Sequence, residues 1–241
     1  MELFDKPGGR VLDVGCGPGV LVPSMLSRSC EFWGVDGSQR MIEQCYKNFS
    51  GDDRAHFAVG NATGLPFEDG FFDAVTCLGV IDRIEQYPVA LREMARVLKE
   101  DGTLIVAVGN LLSPGAFWRN YVYSPLVALL RPTYYGLIRK PRGLAMSPVA
   151  RLQRARTYKR LVATCGCIAT DVVYFNFNML FSPLDEIFPR FGVWVADKAE
   201  GLRFGNLGWL GQAFLLKAKK LRSEVHSAPS SETRCKEGQG Q

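Results

Sequence analysis

Histidine is nearly absent from this 241-residue sequence, which has only His56 and His226. A multi-histidine metal site is therefore excluded, and a histidine-based proton shuttle has few candidates. The seven cysteines are odd in number and irregularly spaced. Cys165 and Cys167, the closest pair, have no second pair at zinc-ligand spacing, so reduced and buried thiols are expected. No metal site is expected. The first ten residues carry Glu2 and Asp5 and show no apolar run behind basic residues, which argues against a secretory signal and for a cytoplasmic chain. The uncharged stretch Val172 to Leu184 is thirteen residues long and holds two Asn and a Pro. It falls short of the roughly 20 apolar residues of a spanning helix, so no transmembrane segment is expected.

Negative charge is missing from one segment altogether. Residues 111–170 hold ten Lys and Arg and no Asp or Glu, whereas residues 1–110 hold ten against sixteen and residues 171–241 nine against eight. The whole net charge of +5 thus comes from the middle of the chain. With 47% hydrophobic and 22% charged residues the composition is ordinary for a globular protein. The expectation is one domain over residues 1–220, with an inserted cap over 111–147 and a disordered tail over 221–241 rich in Ser, Gly, Gln and charge.

The first hundred residues alternate. Val11 to Val14 and Cys30 to Val35 are short apolar runs that end in glycine or acidic turns, the pattern of buried strands. Val20 to Leu26, after Pro18, reads as a helix between them. Ser38 to Phe49 is a second helix with Met41, Ile42, Cys45 and Phe49 near one face. Ala55 to Val59 and Phe72 to Leu78 are strands. Val89 to Leu98 is a helix with a stripe of Leu91, Met94, Ala95 and Leu98, and Thr103 to Val108 is a fifth strand after an Asp101-Gly102 turn. Alternation of this kind predicts an α/β fold, a Rossmann-like doubly wound and mostly parallel sheet with helices on both faces. Beyond it, prolines 114, 125, 132 and 141 interrupt an aromatic-rich cap of short helices. Pro148 to Thr164 reads as a basic helix, and Ile168 to Phe177 and Leu210 to Ala218 as closing strands.

The motif with the most chemical content is Asp13-Val14-Gly15-Cys16-Gly17-Pro18-Gly19, at a strand-to-helix turn. Glycines there let backbone approach a ligand. Their alternate spacing at 15, 17 and 19, with Val at 20, departs from the dinucleotide G-x-G-x-x-G and disfavours NAD. Asp36 ends the second strand, where a carboxylate reaches both hydroxyls of a ribose. It can instead cap the following helix, a role Ser38 can also fill.

On these residues the chain resembles the class I S-adenosylmethionine-dependent methyltransferases, especially the type 11 group with its seven-stranded sheet. The matching stretches are RVLDVGCGPG (10–19), GVDGS (34–38) with Met41, VGNATGLPF (59–67), FFDAVTCL (71–78) and LREMARVLKEDGTL (91–104). The resemblance implies S-adenosyl-L-methionine as methyl donor. Gly15, Gly17 and Gly19, with Cys16 among them, would face its methionine moiety, and Asp13 would hold its amino end. Asp36, followed by Gly37, would hold the ribose; Met41 would pack on adenine and Asn61-Ala62 meet its edge. Cys77 and Leu78, through Gly79, would line the methionine side. Many relatives have Asp where Asn61 stands, and its amide oxygen can still accept a hydrogen bond. Relatives often carry helices before the first strand; here about ten residues precede it, so either the inserted segment supplies the lid or the start of the chain is missing.

Methyl transfer from a sulfonium is an in-line displacement that depends on placement and exclusion of water. A base is needed only for a protonated acceptor. His56 begins the third strand, far from the ligand end of the sheet, and Asp82, beside Arg83, is the better-placed candidate, although it can also serve as a helix cap or ion-pair partner. The basic, aromatic segment bears on the acceptor, with Arg83, Arg119, Tyr121 and Tyr123 as candidate contacts and Arg151, Arg154 and Arg156 on the lid helix. A small hydrophobic, lipid-linked or phosphorylated molecule ranks first, because the segment is as apolar as it is basic. Peripheral membrane contact through 111–160 fits the same charge. RNA ranks lower, no RNA-binding module being recognisable. A solvated basic face and a non-catalytic adenosyl-binding scaffold are the remaining alternatives.

Overall fold

A computed structural model describes residues 8–123, 125–126, 152–175 and 210–222. Seven strands form one sheet: β1 (Arg10–Val14), β2 (Glu31–Asp36), β3 (Ala55–Val59), β4 (Phe72–Leu78), β5 (Leu98–Gly109), β6 (Cys167–Phe175) and β7 (Ala213–Lys220). Their order is β3-β2-β1-β4-β5-β7-β6. The first five are parallel, and β7 lies antiparallel between β5 and β6. Strand order reverses between β1 and β4, so a crevice is expected beyond the carboxyl ends of these strands.

The helices follow from which residues need burial. α1 (Val22–Leu26), with proline in its first turn, buries Val22 and Met25; α2 (Gln39–Phe49) buries Ile42 and Cys45. Both pack on one face of the sheet, against Val11, Phe32 and Ile105. On the other face α3 (Tyr87–Val97) buries Ala90, Leu91, Met94, Ala95 and Val97. Two further helices are α4 (Pro114–Phe117), continued by a wider helical turn over Trp118–Tyr123, and α5 (Ala155–Thr164). α5 joins α3 on the second face through Ala155, Tyr158 and Val162. Alternate residues of a strand point to opposite faces, which is why Leu104 and Val106 meet α3 and α5 while Ile105 meets α1 and α2.

Three sequence-based expectations are corrected. The Asp101-Gly102 turn does not precede β5 but lies inside it: Phe72 pairs with Leu98 and Ala74 with Thr103, so residues 99–102 bulge out opposite Asp73 alone. Asp73 holds the bulge, accepting from Lys99 Nζ at 2.6 Å and from the Arg10 backbone N–H at 2.8 Å. The basic helix begins at Ala155, not near Pro148, within the described residues. Gln153 instead extends the sheet, donating its N–H to Gly109 and accepting from Leu111, and this leaves Arg154 extended. The first helix begins at Val22, because the glycine loop runs on beyond Pro18. The cap beyond Leu126, the start of the expected basic helix at 148–151 and the tail beyond Arg222 lie outside the described residues.

Candidate functional site

The loop after β1 is shaped by glycines that meet different surroundings. Gly15 and Gly17 have φ of 80° and 53°, backbone that side chains rarely adopt. The Gly15 and Cys16 N–H groups both donate to the Val35 carbonyl, at 2.6 and 3.2 Å, tying the loop to β2. A Cβ on Gly15 would stand 2.5 Å from Val80 Cγ2, so here the glycine is needed for packing. A Cβ on Gly17 would meet nothing within 4 Å. Gly17 is the position where backbone borders open space.

Asp36, at the end of β2, is fixed against this loop. One carboxylate oxygen accepts the Gly17 N–H at 3.0 Å and the other the Ser38 N–H at 2.8 Å. Ser38, not Asp36, is the cap residue of α2. A carboxylate has about four lone-pair positions, so two remain for a ligand. A cavity of about 530 Å³ opens beside it, lined by Val14, Gly15, Val35, Asp36, Gly37, Val59, Gly60, Asn61, Ala62, Val80 and Ile84. Its size lies within the range of roughly 300–1,000 Å³ of small-molecule sites. Asp36 is the one charged residue of its wall and Asn61 the other polar side chain, the rest being glycine, alanine, valine and isoleucine, which suits polar recognition at two points and desolvation elsewhere.

Five of the residues singled out in the sequence meet at this cavity: Gly15, Asp36, Gly37, Asn61 and Ala62. Asn61 Oδ1 already accepts the Thr63 N–H at 3.0 Å, which shapes the loop after β3. That loop is clamped from α3: the Arg96 guanidinium donates to the carbonyls of Leu65 and Phe67 at 2.9 and 2.8 Å, and Glu93 accepts the Leu65 N–H. Asp13 lies behind the loop, 4% exposed, accepting the Thr76 hydroxyl at 2.7 Å. Burial pushes its carboxyl up to about 6; the Thr76 bond opposes the rise and the nearby Asp36 charge adds to it.

Other expected contacts fall elsewhere. Cys16 is buried under the loop, Gly19 packs on Phe49, and Met41 is half-buried in the first turn of α2, none of them lining the cavity. Cys77 is buried in the core beside α3 and Leu78 packs on the opposite face, so neither lines the cavity. Val80 and Ile84 line it. They flank a tight turn over Ile81–Arg83, and no alternation or helical stripe in the sequence marks them.

Asp82 lies in that turn and faces the end of β5, its Oδ2 3.6 Å from where a Cβ on Gly109 would stand. Its Oδ1 is buried with no hydrogen-bond partner. Burial raises its carboxyl above the ordinary value, and the charge of Arg83 only partly opposes this. Tyr158 from α5 stacks on Tyr87 at 6.4 Å, and its buried hydroxyl also lacks a partner. Arg83 is exposed, Tyr121 is exposed and Tyr123 half-buried; Arg154 and Arg156 are exposed at the start of α5. The Arg119 side chain and Arg151 lie outside the described residues. His56 stacks on Trp33 with centroids 4.2 Å apart and reaches Glu31 at 3.1 Å, a role in the sheet surface. Among the described residues no three His, Cys, Asp or Glu converge as metal ligands.

Residues 12–106 match the model of a methyltransferase domain. A demethylmenaquinone methyltransferase of Clavibacter sepedonicus is 33% identical over 99 residues, 41% of this chain and 40% of that protein. A ubiquinone biosynthesis O-methyltransferase of Xanthomonas oryzae is 31% identical over 147 residues, 59% of this chain and 61% of that protein. The chain thus spans less than two thirds of the length of either relative. The crystal structure of an S-adenosylmethionine-dependent methyltransferase from Mesorhizobium loti superimposes with a TM-score of 0.60 at 13% identity, covering 90% of this chain and 94% of that one. At that identity the likeness is one of fold.

Proposed function

From the match of residues 12–106 to a methyltransferase domain, we propose that the chain is a class I S-adenosylmethionine-dependent methyltransferase that transfers a methyl group from S-adenosyl-L-methionine to a small apolar acceptor. The observation that carries this reading is the Asp36 carboxylate, pinned by the Gly17 N–H beside a cavity of about 530 Å³. When bound, the donor supplies a sulfonium methyl. The rest is the work of the chain. Asp36 accepts from the ribose hydroxyls with its free lone pairs. Asn61 and Ala62 meet the adenine edge, and Val80 and Ile84 exclude water from it. The open face of Gly17 admits the methionine end, with Asp13 behind the loop as counter-charge to its ammonium.

The candidate proton acceptor for an acceptor that arrives as a hydroxyl is Asp82, set in the turn between the cavity-lining Val80 and Ile84, where burial raises its carboxyl so that it holds a proton more readily than a solvated one. Arg83, Arg119, Tyr121 and Tyr123 are the candidate acceptor contacts. The names of the two relatives favour a quinone-related molecule, which agrees with an apolar, basic segment 111–160 that also suits peripheral contact with an anionic membrane.

The test is incubation with methyl-labelled S-adenosylmethionine and a short-chain demethylmenaquinol. Label in the organic extract, reduced at least tenfold in Asp82→Asn, is the expected result. Label that stays in the aqueous phase while the donor binds normally would refute the acceptor class.

A further inference from the structure

Six of the twelve large hydrophobic side chains left exposed among the described residues fall within fifteen positions: Leu112, Phe117, Trp118, Tyr121, Val122 and Leu126. The reason is local. Ser113 is 1% exposed and Ala116 fully buried. The Ser113 hydroxyl donates to the Leu210 carbonyl at 3.0 Å and accepts the Ala116 N–H. These two residues fasten the start of α4 to the body of the protein, and the side chains that follow are left outside. Phe117 and Tyr121 pack on each other, ring centroids 5.0 Å apart. Neighbouring exposed apolar side chains rimmed by polar residues mark interaction sites.

The charge around the cluster states what the partner is. The cluster opens a 60-residue segment with ten cations and no acid. One described part of that segment is held against the cluster: Leu111 donates its N–H to the Gln153 carbonyl at 3.0 Å, so the first residues of α5 lie beside its start. Arg154, Arg156, Lys159 and Arg160 are all exposed there. Aromatic and aliphatic side chains bordered by cations match the interface of an anionic bilayer, where rings sit at headgroup depth and each Lys or Arg adds attraction. A nucleic-acid groove would use the cations but gains little from exposed Leu and Val.

We infer that the exposed side chains of Leu112, Phe117, Trp118, Tyr121, Val122 and Leu126, flanked by the cations of α5, dock the protein peripherally on an anionic phospholipid surface. They follow β5 at the carboxyl end of the parallel strands, the end at which the Asp36 cavity opens, so docking turns that end of the sheet towards the lipid. An apolar acceptor would then enter from the bilayer without crossing water. Docking does not itself require methyl transfer. Vesicle binding without donor binding would leave this surface standing and remove the enzyme reading, and donor binding without vesicle binding would do the reverse.

The experiment is co-sedimentation of the full chain with vesicles of phosphatidylcholine mixed with phosphatidylglycerol, against phosphatidylcholine alone and against transfer RNA. The expected result is binding to the mixed vesicles that falls with salt, with a blue shift of Trp fluorescence that is lost in Trp118→Phe. Removing both rings in Phe117→Ser/Trp118→Ser should weaken binding about tenfold or more. Reversing charge in Arg154→Glu/Arg156→Glu should weaken it by roughly fivefold per cation or more. Neither pair touches the Asp36 cavity, so titration with S-adenosylhomocysteine should be unchanged in both and shows that they fold. The inference is overturned by equal or absent binding to the two kinds of vesicle, by wild-type affinity in the ring variant, or by preference for transfer RNA over mixed vesicles.

Discussion

Replacing Gly17 by alanine adds one methyl group to the loop where no protein atom lies within 4 Å, whereas the same change at Gly15 drives a methyl to 2.5 Å from Val80 Cγ2 and 2.9 Å from its Cβ. Both residues have positive φ, 53° and 80°, so both substitutions carry a backbone cost of about 1–2 kcal/mol. Gly15→Ala must also displace Val80, an overpacking cost of about 1–3 kcal/mol. Its total of about 2–5 kcal/mol is a large share of the roughly 5–15 kcal/mol that holds a domain folded. Gly17→Ala should therefore lose about 1–2 kcal/mol and remain folded. If the donor's methionine end lies against Gly17 as proposed, the added methyl obstructs it, so affinity for S-adenosylhomocysteine should drop at least tenfold, or about 1.4 kcal/mol. Urea unfolding of both variants, with calorimetric titration of Gly17→Ala, measures the two effects separately. Equal destabilisation of the two variants would refute the packing argument. Unchanged affinity in Gly17→Ala would refute the placement of the ligand.

Asp13 makes a pH-dependent contribution whose sign is fixed by its raised carboxyl. Its folded value is about 6 against 3.8 for an unperturbed group, so the contribution to stability is full below about pH 4 and is lost as pH rises through 6, on the order of 3 kcal/mol. Urea midpoints at pH 4.5 and 7 should converge between wild type and Asp13→Asn at the lower pH and favour the variant at the higher; parallel profiles would contradict this. Asp82→Asn removes the charge of a carboxylate that burial disfavours, and it should raise the melting temperature at neutral pH while slowing transfer to a hydroxyl acceptor. A melting temperature that falls would show that the carboxylate serves the fold. Arg96→Met breaks the bonds to the Leu65 and Phe67 carbonyls together with pairs to Glu93 and Asp69. Thermal unfolding should show a loss of about 2–3 kcal/mol, and donor affinity should fall because the Asn61-Ala62 loop loses its clamp. Wild-type affinity in Arg96→Met would separate the clamp from the site.

The parts of this architecture that depend on local pattern were legible in the sequence. Strands such as Ala55–Val59 and Phe72–Leu78 have the bounds their apolar runs imply. Leu91, Met94 and Ala95 are buried because a spacing of three and four residues returns to one helix face, whereas Leu98, read as the end of that stripe, is buried as the first residue of β5. Gly15 and Asp36 were readable because glycine and acidic residues at strand ends mark turns with polar tasks, whereas Gly37, Asn61 and Ala62 were named only through the family resemblance. Val80 and Ile84 were neither, since an apolar residue beside a tight turn looks the same whether it faces core or ligand. Cys77 was placed on the cavity by resemblance, yet in β4 it points to the α3 face, a matter of strand phase. Asp101 and Gly102 have the composition of a turn, and only the pairing of Phe72 with Leu98 makes them a bulge. Gln153 gives no local sign of its bridge to Asn110, a tertiary contact that overrides helix formation.

The central claim is that the Asp36 cavity holds an adenosyl ligand, and calorimetric titration of the chain with S-adenosylhomocysteine, with NAD as control, tests it most directly. The account predicts binding of S-adenosylhomocysteine, none of NAD, and loss of the former in Asp36→Ala. An Asp36→Ala variant that binds S-adenosylhomocysteine as the wild type does, or a wild type that binds NAD instead, would contradict it.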